Sequence, residues 1–140
     1  MRGKMTNFRG SFLLGLWTVA ILIALTALRD YDWYPVVGES MSPTVQPGDV
    51  LLVKTGHEDW ERGDLILFRV DGEETLFIKR VVGLPGDRVE AEQGKLRVNG
   101  QPWQEGPARI TVPDFPVMKV PAGMLFVMGD NPPESEDSRS

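Results

Sequence analysis

Thr75-Leu76-Phe77-Ile78-Lys79-Arg80-Val81-Val82, running into Gly83-Leu84-Pro85-Gly86-Asp87, decides how this chain folds. A short run of aromatic and branched side chains stopped by a Pro-Gly-Asp turn reads as a strand rather than a helix. Side chains alternate along a strand, so Phe77, Lys79 and Val81 share one face while Leu76, Ile78, Arg80 and Val82 share the other. One of two adjacent cations therefore falls between apolar neighbours.

The same short-period pattern extends on both sides. Val50 to Lys54, Leu65 to Val70, Arg88 to Ala91, Lys95 to Val98 and Met124 to Met128 are further predicted strands. Turns fall at Pro47-Gly48, Asp71-Gly72, Pro85-Gly86, Gln93-Gly94 and Asn99-Gly100. Eleven prolines disfavour long helices here. Five of them lie between Gln101 and Pro121, which reads as a mostly extended excursion. The expected fold is mainly β: a compact antiparallel, barrel-like domain over residues 29–140.

Ahead of it the pattern changes. Phe12 to Leu28 is uncharged and, at about 1.5 Å per residue, reaches about 25 Å as a helix, near the lower limit for crossing a bilayer. Gly10 and Ser11 lengthen it, giving an expected transmembrane helix over 11–28. Arg2, Lys4 and Arg9 precede it with no acidic residue among them and Arg29, Asp30 and Asp32 follow, so the charge bias puts residues 1–10 in the cytoplasm and the remainder outside. A cleaved signal peptide and a buried core helix are the competing readings; no clean small-x-small cleavage site stands near Ala24 to Ala27.

Composition narrows the chemistry. After that helix about 100 residues remain, enough for one modest core. A net charge of -5, with scattered basic residues, argues against nucleic acid as a partner. The absence of cysteine removes thiol nucleophiles and disulfides, and the single histidine, His57, removes any multi-histidine metal site. His57 stands in the polar turn Thr55-Gly56-His57-Glu58-Asp59, where a solvated histidine is the plain reading.

Gly38-Glu39-Ser40-Met41-Ser42-Pro43-Thr44 supplies a serine, whose hydroxyl needs a base before it attacks anything. Lysine is the base left available. To be neutral near pH 8 it must lose about 2.4 pK units, or roughly 3 kcal/mol, which burial among apolar groups can supply and a nearby carboxylate opposes.

These stretches, with Gly48-Asp49, Ile78 to Asp87, Gly129-Asp130-Asn131 and Ser135-Glu136-Asp137-Ser138-Arg139, occur in order and resemble the conserved boxes of type I signal peptidase, in its lysine-bearing bacterial and organellar branch. The resemblance implies a membrane-bound serine endopeptidase of the bacterial plasma membrane that removes signal peptides from exported preproteins. It makes Ser40 the nucleophile and Lys79 the general base, with no metal or cofactor. It also implies that Ser135 hydrogen-bonds the lysine, that Asp137 and Arg139 form an ion pair beside the site, and that Met41 shapes the substrate-binding site. Tyr34, Val36 and Ile78 are expected in the pocket walls, although ordinary core positions would suit them equally. Some members carry a serine hydroxyl for the oxyanion two residues before the nucleophile; Gly38 stands there in this chain. Pro132-Pro133 replaces the usual polar pair, and a closing strand is expected beyond Ser140.

The expected partners are preprotein signal peptides and the lipid bilayer. From Leu28 to Ser40 the chain extends at most about 40 Å, which holds the nucleophile near the lipid. A specialised maturation peptidase with the same dyad, a self-cleaving repressor of related fold and a non-enzymatic, membrane-tethered β binding module are the alternatives. The repressor lacks a place for its DNA-binding segment.

Overall fold

The computed structural model describes residues 8–107 and 111–139, with the side chains of 8–12 and of Ala27 excepted. Arg2, Lys4 and Ser140 therefore lie outside the described residues. One helix, α1 (Phe8–Ala27), precedes nine strands: β1 (Tyr31–Pro35), β2 (Val50–Lys54), β3 (Leu65–Arg69), β4 (Leu76–Gly83), β5 (Arg88–Glu92), β6 (Lys95–Val98), β7 (Gln101–Pro102), β8 (Phe115–Lys119) and β9 (Phe126–Met128). A 3-10 turn, Pro132–Glu134, follows.

All pairings are antiparallel, in three sheets of order β1-β2, β3-β4-β9 and β7-β6-β5-β8. The mainly β, antiparallel architecture is as the sequence indicates, but a single barrel-like sheet does not form. The β4–β9 register shifts between Val81 and Gly83, and the chain then turns through Leu84 to Asp87 into a separate sheet. Gly83 leaves no room for a side chain there, because a Cβ would lie 2.8 Å from Val89 Cγ2. The turn glycines at 48, 72, 86, 94 and 100 all take positive φ, the conformation that glycine adopts without steric cost.

Three apolar clusters form the interior. The largest joins Val82, Val89, Val98, Val112, Val120 and Phe126. Ile66, Val81 and Val127 make a second, and Val36, Met41 and Val45 a third beneath the serine loop. The strand β4 serves all three, since Val82 faces the first, Val81 the second and Ile78 packs on the third.

The described side chains of α1, Leu13 to Thr26, are exposed on every side. Among the described residues no helix is long and apolar enough to cross a membrane. The expected 11–28 span lies partly outside those described side chains.

Candidate active site

The serine loop leaves β1 at Pro35 and is closed by its own turns. Ser42 N-H donates to Glu39 O at 3.0 Å and Val45 N-H to Met41 O at 3.0 Å. Met41 is fully buried, so it anchors the loop from below and does not line the cleft above. Ser40, next to it, is carried to the surface of that cleft.

Opposite stands β4. Lys79 Nζ lies 2.9 Å from Ser40 Oγ, and the lysine is only 3% exposed. Strand alternation puts its stem beside Phe77 and Val81, and cross-strand pairing sets Ile66 next to it and Phe68 next to Phe77. Burial pushes the amine below its ordinary value. Asp137 and Glu136 pull it back up, while the Arg139 charge depresses it further. The amine is thus biased toward the neutral form that can accept a hydroxyl proton.

The segment 129–139 closes the site. Arg139 Nε donates to Asp137 Oδ1 at 2.6 Å and Arg139 Nη2 to Oδ2 at 2.8 Å, so the carboxylate is matched by a forked guanidinium. Burial alone would raise the Asp137 carboxyl; the bonds from Arg139, Ser135 and Gly129 N-H outweigh it and hold the group below its ordinary value. The Asp137–Arg139 ion pair is where the sequence indicates. Ser135 differs, since its hydroxyl donates to Asp137 Oδ2 at 2.6 Å and makes no hydrogen bond to Lys79 among the described residues. A carboxylate two residues along the chain is the stronger acceptor for that hydroxyl. Ser135 therefore shapes the electrostatics near Lys79 through Asp137.

A cleft of about 590 Å³ opens over Ser40 and Lys79. Tyr34, Val36, Gly38 and Ile78 line it, as do Glu134 and Glu136, which the sequence reading did not foresee. A Cβ at Gly38 would meet nothing within 4 Å, so that position contributes space and no polar side-chain group. His57 is exposed and packs edge-on against Trp60, with ring centroids 5.4 Å apart. It is not among the residues lining the Ser40 cleft.

Three residues unassigned by the sequence reading hold the loop. Asp130 receives Arg80 Nε at 2.8 Å and Nη2 at 2.6 Å, and accepts the Thr44 hydroxyl at 2.5 Å. Asn131 reaches Glu39 O through Nδ2 at 3.1 Å and Ser40 O through its backbone N-H at 2.9 Å. Gly129 must be glycine, because a Cβ would collide with Ser135 Oγ and Ser40 O. Their adjacency in Gly129-Asp130-Asn131 was the available signal; their partners, 50 to 92 residues away in sequence, were not legible.

Comparison with known proteins gives the family of the chain. The family model for signal peptidase, peptidase S26, matches residues 9–140. Signal peptidase I P of Bacillus subtilis subsp. natto is 36% identical over 145 residues, covering 89% of this chain and 77% of that protein. Signal peptidase I of Bacillus licheniformis is 36% identical over 156 residues, covering 98% of this chain and 83% of its own. The crystal structure of a signal peptidase I from Enterococcus faecalis V583 superposes with a TM-score of 0.50 at 32% identity, covering 59% of this chain and 86% of that one. The fold and these matches define a peptidase. The chain belongs to the signal peptidase family, peptidase S26.

Proposed function

We propose that this peptidase is a membrane-anchored serine endopeptidase that cleaves signal peptides from exported preproteins, using Ser40 as nucleophile and Lys79 as general base. The observation that carries the reading is the buried lysine amine 2.9 Å from the serine hydroxyl, in a chain of the signal peptidase family. Neutral Lys79 takes the Ser40 proton as the oxygen attacks the scissile carbonyl. The protonated lysine then gives the proton to the departing amine. Water, activated by the same amine, releases the acyl group. An extended substrate segment fits the open cleft beside β1 and β4, where backbone bonding supplies affinity.

Membrane attachment is supported by the uncharged run of Phe12 to Leu28 within and just beyond α1. Trp33 and Leu52, paired across β1 and β2, are 69% and 48% exposed and suit a lipid interface. The N-terminus is then cytoplasmic and the β domain extracytoplasmic.

The deciding experiment incubates the detergent-solubilised chain with a preprotein. Ser40→Ala is expected to lower cleavage roughly 10,000-fold or more, and Lys79→Ala comparably. Normal cleavage by either variant overturns the assignment.

A further inference from the structure

We infer that Asn131 is a positioning residue that aims the Ser40 N-H at the oxyanion formed in the cleft. The inference rests on the reading of Ser40 as the attacking residue and adds to it a group that reaches no substrate.

A trans peptide is planar, and its C=O and N-H point in opposite directions. Fixing Glu39 O therefore fixes where Ser40 N-H points, since both belong to one peptide unit. Glu39 O accepts two hydrogen bonds, from Ser42 N-H within the loop at 3.0 Å and from Asn131 Nδ2 across the site at 3.1 Å. The Asn131 backbone N-H holds the next carbonyl, Ser40 O, at 2.9 Å. Two consecutive carbonyls of the serine loop are thus gripped by one residue. Ser40 N-H itself donates to no group among the described residues, while Ser40 lines the cleft. A polar N-H left without a protein partner beside a nucleophile is the group that an oxyanion would use. Gly38, two residues earlier, brings no side-chain donor, so the backbone donor carries more of the burden.

Asn131 is itself fixed. Its neighbour Asp130 is tied to Arg80 of β4 and to Thr44 at the other end of the serine loop. Arg80 also donates to Gly63 O at 2.7 Å. The serine loop is therefore pinned at Glu39 and Ser40 by Asn131, and at Thr44 by Asp130.

The test compares the solubilised full chain with Asn131→Ala and the similarly sized, uncharged Asn131→Leu, both of which keep the backbone bond and lose the side-chain donor. Steady-state cleavage of one preprotein peptide is measured across pH, along with inhibition by a peptide aldehyde, whose serine adduct carries the tetrahedral oxygen. Both variants are expected to lose about tenfold or more in kcat. KM is expected to stay within twofold and the pH profile unmoved, while aldehyde affinity falls by a factor similar to kcat. Unchanged kcat with Ser40-dependent cleavage intact overturns this inference alone. So does a loss of kcat with a displaced pH profile, which would mean that Asn131 acts through Lys79. Absence of Ser40-dependent cleavage in the unaltered chain overturns the functional reading and this one with it. Should Asn131→Ala not fold, Asn131→Leu decides.

Discussion

Lys79 sits under competing influences, and their balance makes its titration testable. Burial lowers its pKa, Asp137 raises it, Arg139 lowers it and Glu136 raises it. Activity is expected to climb with pH as the amine loses its proton, with a midpoint below that of a free lysine. Glu136→Gln removes a raising charge and is expected to move that limb to lower pH; the pH dependence of kcat/KM checks both. Stability follows the same sign. A lysine with a depressed folded pKa weakens the fold below that pKa, and the penalty disappears as pH rises toward the unfolded value. Lys79→Met is therefore expected to stabilise the chain near neutral pH, seen as a higher urea midpoint, while removing cleavage. Gly129→Ala is expected to reduce kcat roughly 100-fold, since its methyl group would displace the Ser40 backbone and the Ser135 side chain. That Ser40 and Lys79 lie together was anticipated chiefly from the resemblance of their motifs to the family's boxes; β alternation added only that one of two adjacent cations falls between apolar neighbours. The Ser135 bond was not legible, because the choice between Lys79 and Asp137 as its partner depends on how the segment 135–139 turns back on itself.

At the scale of elements, β4 ties the site to the core, and Met41 does the same for the serine loop. Met41→Ala is expected to cost about 2–5 kcal/mol, measured by denaturant unfolding, because the buried cavity beneath Ser40 cannot collapse without moving it. A second fixed point lies away from the cleft. Asp87, in the turn between β4 and β5, accepts both Arg62 Nε at 2.8 Å and Arg62 Nη2 at 2.7 Å, and also Asn99 Nδ2 and Leu84 N-H. The Arg62 bonds foremost hold its carboxyl down at about 2, against the opposing effect of burial. The stability this lends is present above the ordinary carboxylate range and is lost as pH falls through about 2. Arg62→Ala is expected to cost about 1 kcal/mol, the exposed arginine being partly screened, and to start acid unfolding at a higher pH. Strands β2 and β6 have the bounds that alternation and turn glycines indicate, β3 and β5 differ by one residue at one end, β4 by one residue at each end, and β9 starts at Phe126 instead of Met124. The sequence reading passed over β7 and β8 because it took the five-proline stretch from Gln101 to Pro121 as an extended excursion. The β5–β8 register shifts where Ala91 pairs with Phe115 and Val89 with Met118, so the residue without an N-H falls at an irregularity. It also passed over β1, whose Tyr-Asp-Trp-Tyr-Pro sequence follows the helix with no turn glycine to mark it.

For the whole molecule, apolar exposure is concentrated on α1 and the adjoining β1–β2 pair. Trp33, Leu52 and Val50 lie on one outward face, with Trp33 opposite Leu52 and Pro35 opposite Val50. The paired change Trp33→Asp with Leu52→Asp is expected to weaken binding of the β domain to lipid vesicles several-fold, read by co-sedimentation, and to leave cleavage of a short soluble peptide unchanged. Such an outcome separates the role of this face from that of the cleft.

The tie between Asn131 and Glu39 joins residues 92 apart in sequence. A nascent chain that already holds the serine and the lysine therefore still lacks the segment that grips the serine loop. Until the stretch from Gly129 to Arg139 is synthesised and folds back, the loop has no clamp and the lysine lacks its neighbouring ion pair. The grip on the serine loop is thus a late-arriving one, completed only when the segment 129–139 packs against residues made some 90 positions earlier.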